Sequence, residues 1–120
     1  MASVTYVRQG EFLFKQGDVA DAMFIVKTGK ISLLITDGIS QKEIDTASTG
    51  QLIGEMPLFD KKLRSAGAKA IIDSVLVQLP YKKLEDELVQ MPEWVQAVLK
   101  KLSEKIREAN NKILSDNKTP

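Results

Sequence analysis

Cysteine and histidine are both absent from this 120-residue chain, and the two absences close most of the usual routes to chemistry. Without cysteine there is no disulfide and no thiol nucleophile, a composition that fits a reducing cytoplasm. Without histidine the commonest metal ligand and the commonest acid–base group near neutral pH are missing, which argues against a metal-dependent enzyme. Charge of one sign is lacking too: 17 Lys and Arg stand against 16 Asp and Glu. No global field therefore draws the chain to nucleic acid or to an anionic membrane. No apolar run approaches the roughly 18 residues of a membrane span, and no charged-then-apolar signal segment opens the chain. The expectation is one cytoplasmic domain with a core of its own, no cofactor, and no room for a second catalytic domain.

What is present begins as strands. From Val4 to Leu79, short apolar runs alternate with glycine or Asx turns, the pattern of many short antiparallel strands closing into a sandwich or barrel. Glu11–Lys15 and Ala22–Lys27 read as strands. Ile31–Thr36 is rich in β-branched residues and turns at Asp37-Gly38 into a weaker return strand, Gln41–Ala47, whose few apolar residues are Ile44 and Ala47. Ala66–Ile72 and Val75–Leu79 are expected to pair as a hairpin about Asp73-Ser74. After Pro80 the period changes: Tyr81–Val89 predicts a short helix, and Pro92, at a first helical position, starts a long helix to about Leu114. Residues 115–120 are polar and are expected to form a frayed tail or the beginning of a linker.

Within the long helix Val95, Leu99, Leu102, Ile106, Ala109 and Ile113 recur at alternating spacings of four and three, the seam of a two-stranded coiled coil. The alternative is that the stripe packs on the chain's own barrel, where Trp94 and Val98, off the seam, are placed to make the contact. The spacing favours a parallel homodimer.

The stretch from Gly50 to Ala70 carries the chemistry. Gly54 lets backbone approach a ligand closely, and Glu55 can accept hydrogen bonds from a pair of sugar hydroxyls. Pro57-Leu58-Phe59 reads as one tight helical turn whose amides face an anion. Arg64 offers a rigid guanidinium fork for a phosphate, and Ser65 adds a hydroxyl and a backbone N–H. A ligand with a phosphate beside a ribose is implied. Taken alone, Glu55 and Arg64 would more often be a solvated surface pair.

Ile53-Gly54-Glu55 and Arg64-Ser65-Ala66 resemble the phosphate-binding cassette of the cyclic nucleotide-binding domain family. The likeness continues in Gly10-Glu11-Phe12-Leu13-Phe14-Lys15-Gln16-Gly17-Asp18 and in Met23-Phe24-Ile25-Val26-Lys27-Thr28-Gly29, so it covers most of the chain. Within the family it is similar to the ligand-binding half of the bacterial catabolite activators. The resemblance implies a mainly β fold with C-terminal α: a double-stranded β-helix, or jelly roll, of about eight antiparallel strands, then a short helix and a long C-terminal helix. The barrel would occupy residues 1–80 with the cassette at 53–66, the helices 81–114 and the tail 115–120.

The implied ligand is cyclic AMP rather than cyclic GMP, held by Gly54, Glu55, Met56, Pro57, Arg64, Ser65 and Ala66. Aligning the long helix from Pro92 on that of the activators puts their adenine-contacting position at Asn110. Leu52, Leu58 and Phe59 are assigned to barrel packing, as is Met56 in preference to ligand contact. Arg64 is expected to serve the ligand and not the core. Two residues depart from the family pattern. Pro57 has no N–H to give the phosphate, and Gly67 stands where a larger residue is usual. The function implied is a non-catalytic regulatory sensor that moves its C-terminal helix on binding, with a hinge at Gln90-Met91-Pro92. The alternative is a degenerate domain that binds no nucleotide and recruits a protein partner. The output lies either in such a partner or in further chain beyond Pro120.

Overall fold

The computed structural model describes residues 3–55, 57–58 and 61–118, with side chains described as far as Ala109. Eight strands come first: β1 (Ser3–Val7), β2 (Phe12–Phe14), β3 (Ala22–Thr28), β4 (Lys30–Asp37), β5 (Ser40–Ser48), β6 (Leu52–Ile53), β7 (Gly67–Ala70) and β8 (Ser74–Pro80). Helices α1 (Tyr81–Leu88) and α2 (Glu93–Lys118) follow. The strands form two antiparallel sheets, ordered β1-β8-β3-β6 and β2-β7-β4-β5, which enclose the core as a jelly roll. Among the described residues, no helix is long and apolar enough to cross a membrane.

Side-chain alternation sets the inside of each strand. Along β3, Ala22, Phe24 and Val26 are buried between the sheets, where they meet Ile31 of β4, Ile53 of β6, Ala68 and Ala70 of β7 and Leu76 of β8. The other face of the first sheet is apolar as well. Its register sets Val4, Val77, Ile25 and Leu52 in one row across all four strands, and Val4 and Leu52 at the ends of the row are about half exposed.

The chain does not form the expected hairpin at Asp73-Ser74. β7 pairs with β2 and β4, whereas β8 pairs with β1 and β3, so the segment between them carries the chain from one sheet to the other. Polar side chains hold this crossing. Asp73 accepts from the Gln9 N–H at 2.8 Å, and buried Ser74 donates to the Ile72 carbonyl at 2.8 Å while accepting from the Lys30 N–H at 3.1 Å. β4 and β5 do form a hairpin, with one irregularity. Leu33 faces Asp45 and Leu34 faces Glu43, so Ile44 is an extra, bulged residue.

The long helix runs past Leu114 to Lys118, so residues 115–118, expected as a frayed tail, continue α2. Its setting also differs from the expectation. Ser103 and Arg107 are the buried positions, with Leu99 half-buried one turn earlier. Trp94 and Val98, expected on the barrel, are 70% and 48% exposed, and with Leu102 (51%) and Ile106 (47%) they form an apolar stripe at four-residue spacing. The heptad seam straddles the covered line and the exposed one. Ala109 is exposed, and the Ile113 side chain lies outside the described residues.

Gly29 turns β3 into β4 at φ +114°, a conformation that L side chains rarely adopt, and a Cβ there would stand 2.7 Å from the Ser74 Cα. Gly29→Ala therefore strains the turn and pushes on the sheet crossing at once. Destabilisation of about 2–4 kcal/mol is expected. Urea unfolding measures it, and an unchanged midpoint would show that the crossing yields.

Candidate functional site

The site is built where β6 ends. Ile53 is buried in the core, and Gly54 turns the chain at φ +77° with its carbonyl directed at Arg64. A Cβ at this position would overlap Arg64 Nη1, so the glycine is required twice, by backbone and by neighbour. Glu55 follows, half-buried, and its carbonyl accepts from the Leu58 N–H at 3.1 Å. Pro57 and Leu58 are helical and buried, with the Lys61 N–H closing on the Pro57 carbonyl at 3.0 Å. Met56 and Phe59 lie outside the described residues.

Arg64 is anchored by its own backbone, donating to the Asp18 carbonyl at 2.9 Å and accepting from the Gly17 N–H at 2.8 Å. Its side chain turns inward and is 5% exposed. Nη1 donates to the Gly54 carbonyl at 3.0 Å and to the Tyr81 hydroxyl at 3.2 Å, and Nη2 donates to the Ala22 carbonyl at 2.6 Å. The guanidinium stacks 4.0 Å from the centre of the Phe14 ring. Arg64 thus serves the core as well as the pocket, which corrects the expectation that it serves the ligand alone. Nε is buried and has no partner. A buried polar atom left in this state is uncommon, and here it belongs to a cation that neutral acceptors and aromatic rings satisfy only in part.

Burial lowers the pKa of Arg64 from its usual value, against the opposing influence of Tyr81, Asp21 and Asp18. Tyr81, the first residue of α1, is buried and donates its hydroxyl proton to the Gly54 carbonyl. Burial raises its pKa to about 12, although the Arg64 cation pulls the other way. The phenol therefore remains protonated at neutral pH.

A cavity of about 320 Å³ opens beside this cluster. Gly54, Glu55, Pro57, Arg64, Ser65 and Ala66, all named from sequence, line it together. Ile53, which opens the cassette, lines it too, as do Phe14, Leu33, Ile44, Asp45, Leu52 and Ile106, which sequence reasoning did not assign to the site. Leu52 was assigned to packing but is exposed and faces the cavity, whereas Leu58 does pack in the interior. Ile44 reaches the cavity from the β5 bulge, and Ile106 from α2. Asn110 is in α2, one turn beyond Ile106, and its side chain lies outside the described residues. A larger hollow of about 410 Å³, lined by Leu58, Leu88, Val89 and Ala97 among others, lies between the cassette and the two helices. The described residues contain no group of three or more metal-ligating side chains.

A two-sheet jelly roll with a glycine-turned, arginine-centred pocket and two trailing helices is the architecture of one class of ligand-sensing module. Residues 4–90 match the family model of the cyclic nucleotide-binding domain, and the chain belongs to that family. It is 32% identical over 103 residues to the cyclic AMP receptor protein of Thermus thermophilus, covering 85% of this chain and 48% of that protein. The chain thus spans about half the length of that relative. Among solved structures, the catabolite activator protein of Thermus thermophilus superposes with a TM-score of 0.75 at 29% identity, over 93% of this chain and 53% of that one. The EAL enzyme Bd1971 in its cAMP-bound form shares the fold, with a TM-score of 0.85 at 22% identity over 95% of this chain and 30% of that one.

The buried phenol gives the fold a dependence on alkaline pH. Tyr81 has a folded pKa of about 12 against the ordinary tyrosine value of 10.0, so its stabilising effect is complete below pH 10 and is lost as pH rises from 10 through about 12. Over that window the unfolded state gains up to roughly 2–3 kcal/mol relative to the folded one. Urea unfolding of wild type and Tyr81→Phe across this range isolates the contribution. An equal decline in both proteins would assign the loss to other groups.

Proposed function

We propose that the chain is a sensor of cyclic nucleotides that takes cyclic AMP in preference to cyclic GMP and performs no reaction of its own. The observation that carries this reading is the partnerless, buried Nε–H of Arg64 on the wall of a cavity shared with Gly54, Glu55, Ser65 and Ala66. A cyclic phosphodiester keeps one negative charge at any physiological pH, and a pocket that removes it from water must supply a fixed cation and donors. In this reading Arg64 and Ser65 receive the phosphate, and Glu55 accepts from the ribose 2′-hydroxyl. Gly54 and Ala66 bring backbone close, Met56 and Pro57 complete the cassette, and Asn110 meets the base. The cavity volume is at the lower end of the roughly 300–1,000 Å³ range of small-molecule sites. The preference for cyclic AMP draws on the Thermus relative, a cyclic AMP receptor protein.

Ile106 supports coupling to the long helix, because a ligand that fills the cavity meets α2 there. The connection through Gln90-Met91-Pro92, where the Val95 N–H bonds the Pro92 carbonyl at 3.0 Å, is the hinge of this reading. The exposed stripe of Trp94, Val98, Leu102 and Ile106 supports a homodimer through α2, since an apolar line of this length on a helix marks an interaction face. A second reading, an interaction module without nucleotide, is favoured by Pro57, which is buried and has no N–H to give a phosphate.

Titration calorimetry with cyclic AMP, cyclic GMP and 5′-AMP separates the two readings. Wild type is expected to bind cyclic AMP most tightly, and Arg64→Ala, checked for folding by circular dichroism, to lose at least about 100-fold in affinity. Wild type that gives no heat with any cyclic nucleotide supports the second reading. For the dimer, Leu102→Lys sets like charges across the stripe and is expected to yield monomers in sedimentation. Wild type that sediments as a monomer with and without cyclic AMP would refute the interface.

A further inference from the structure

Arg64 has three neutral acceptors, and they are not held equally. The bond to Ala22 is 2.6 Å, that to Gly54 is 3.0 Å, and that to the Tyr81 hydroxyl, at 3.2 Å, is the longest. Tyr81 also differs in where it sits. As the first residue of α1 it has its N–H fixed on the Asp21 carbonyl at 2.8 Å and its hydroxyl proton committed to the Gly54 carbonyl. One phenol therefore joins the start of the cassette, the cation of the pocket and the first turn of the helix.

We propose that Tyr81 is the positioning residue through which an occupied cassette is felt at α1: an anionic ligand draws Arg64 Nη1 away from the Tyr81 hydroxyl and so loosens the tether of the first helical turn. The inference rests on the cyclic nucleotide reading above and specifies how that site is regulated. A charge-assisted bond from guanidinium to phosphate is roughly twice as strong as one to a neutral acceptor, so the exchange runs toward the ligand. It costs least at Tyr81, because that bond is the longest and the hydroxyl still donates to Gly54 afterwards, leaving no buried proton without a partner. The Lys61–Glu85 ion pair also links the cassette to α1. Both of its side chains are well exposed, so solvent screens it and it holds the helix only weakly.

The test compares wild type and Tyr81→Phe by amide hydrogen exchange over residues 81–88 and by calorimetry, each with saturating cyclic AMP. In wild type, ligand should raise exchange in the first turn of α1 several-fold. In Tyr81→Phe exchange should already be raised without ligand and should not change on binding. The variant should also bind cyclic AMP about two- to ten-fold more tightly, because its free state has no Arg64–Tyr81 bond to give up. Equal or weaker binding by the variant, or an undiminished ligand-dependent change at α1, would overturn the proposal. The wild-type arm stands alone if the variant does not fold: binding without a change at α1 refutes the role of Tyr81 only, whereas absence of binding refutes the nucleotide reading beneath it.

Discussion

The buried guanidinium of Arg64 is the constraint around which the rest is arranged. Among the described residues no carboxylate forms an ion pair with it, so the barrel satisfies a desolvated cation with two carbonyls, a phenol and the face of Phe14. Desolvating such a charge costs several kcal/mol, which neutral acceptors offset only in part. The acceptors come from different parts of the chain: Ala22 from β3, Gly54 from the turn after β6 and Tyr81 from α1. The residue that puts a positive charge on the cavity wall is thus also one that holds sheet, cassette and helix together.

Much of this was legible in the sequence because it is local. Glycine and Asx punctuation between β-branched runs marked the strands, and the hairpin of β4 and β5 followed from Asp37-Gly38. Gly54, Glu55, Arg64, Ser65 and Ala66 stand close along the chain, and they come together on the wall of one cavity. What the sequence hid is long-range. Adjacent strands β7 and β8 invite a hairpin reading, yet they lie in different sheets and each finds its partners more than thirty residues away, from 33 residues for Leu34 with Gly67 to 75 for Ser3 with Gln78. The cavity walls of Phe14, Leu33 and Ile44 are set by sheet packing and by a bulge, neither of which leaves a mark in local composition.

The setting of α2 shows the same division. Its helical character and apolar content follow from period and propensity, but which line of residues meets the barrel depends on how the helix is rotated. The chain buries Ser103 and Arg107, a polar pair that periodicity assigns to solvent, and leaves Trp94 and Val98 uncovered. Ile106 lies between the two lines, half exposed and yet on the cavity wall, so one residue touches both the pocket and the open face of the helix.

The strand order has a consequence for how the chain comes to be folded. β1 is completed by β8, with Ser3 opposite Gln78, and β2 by β7, with Phe12 opposite Lys69, so the earliest strands to be synthesised wait for the last. Such pairings close long loops before any contact rewards them, which makes folding slow relative to helical domains of similar size. Until β7 and β8 have left the ribosome, β4 and β3 respectively lack a neighbour and present open edges. Unpaired edges of this kind are where nascent chains associate wrongly, so the barrel passes its most aggregation-prone interval during synthesis, before the pocket exists to receive anything.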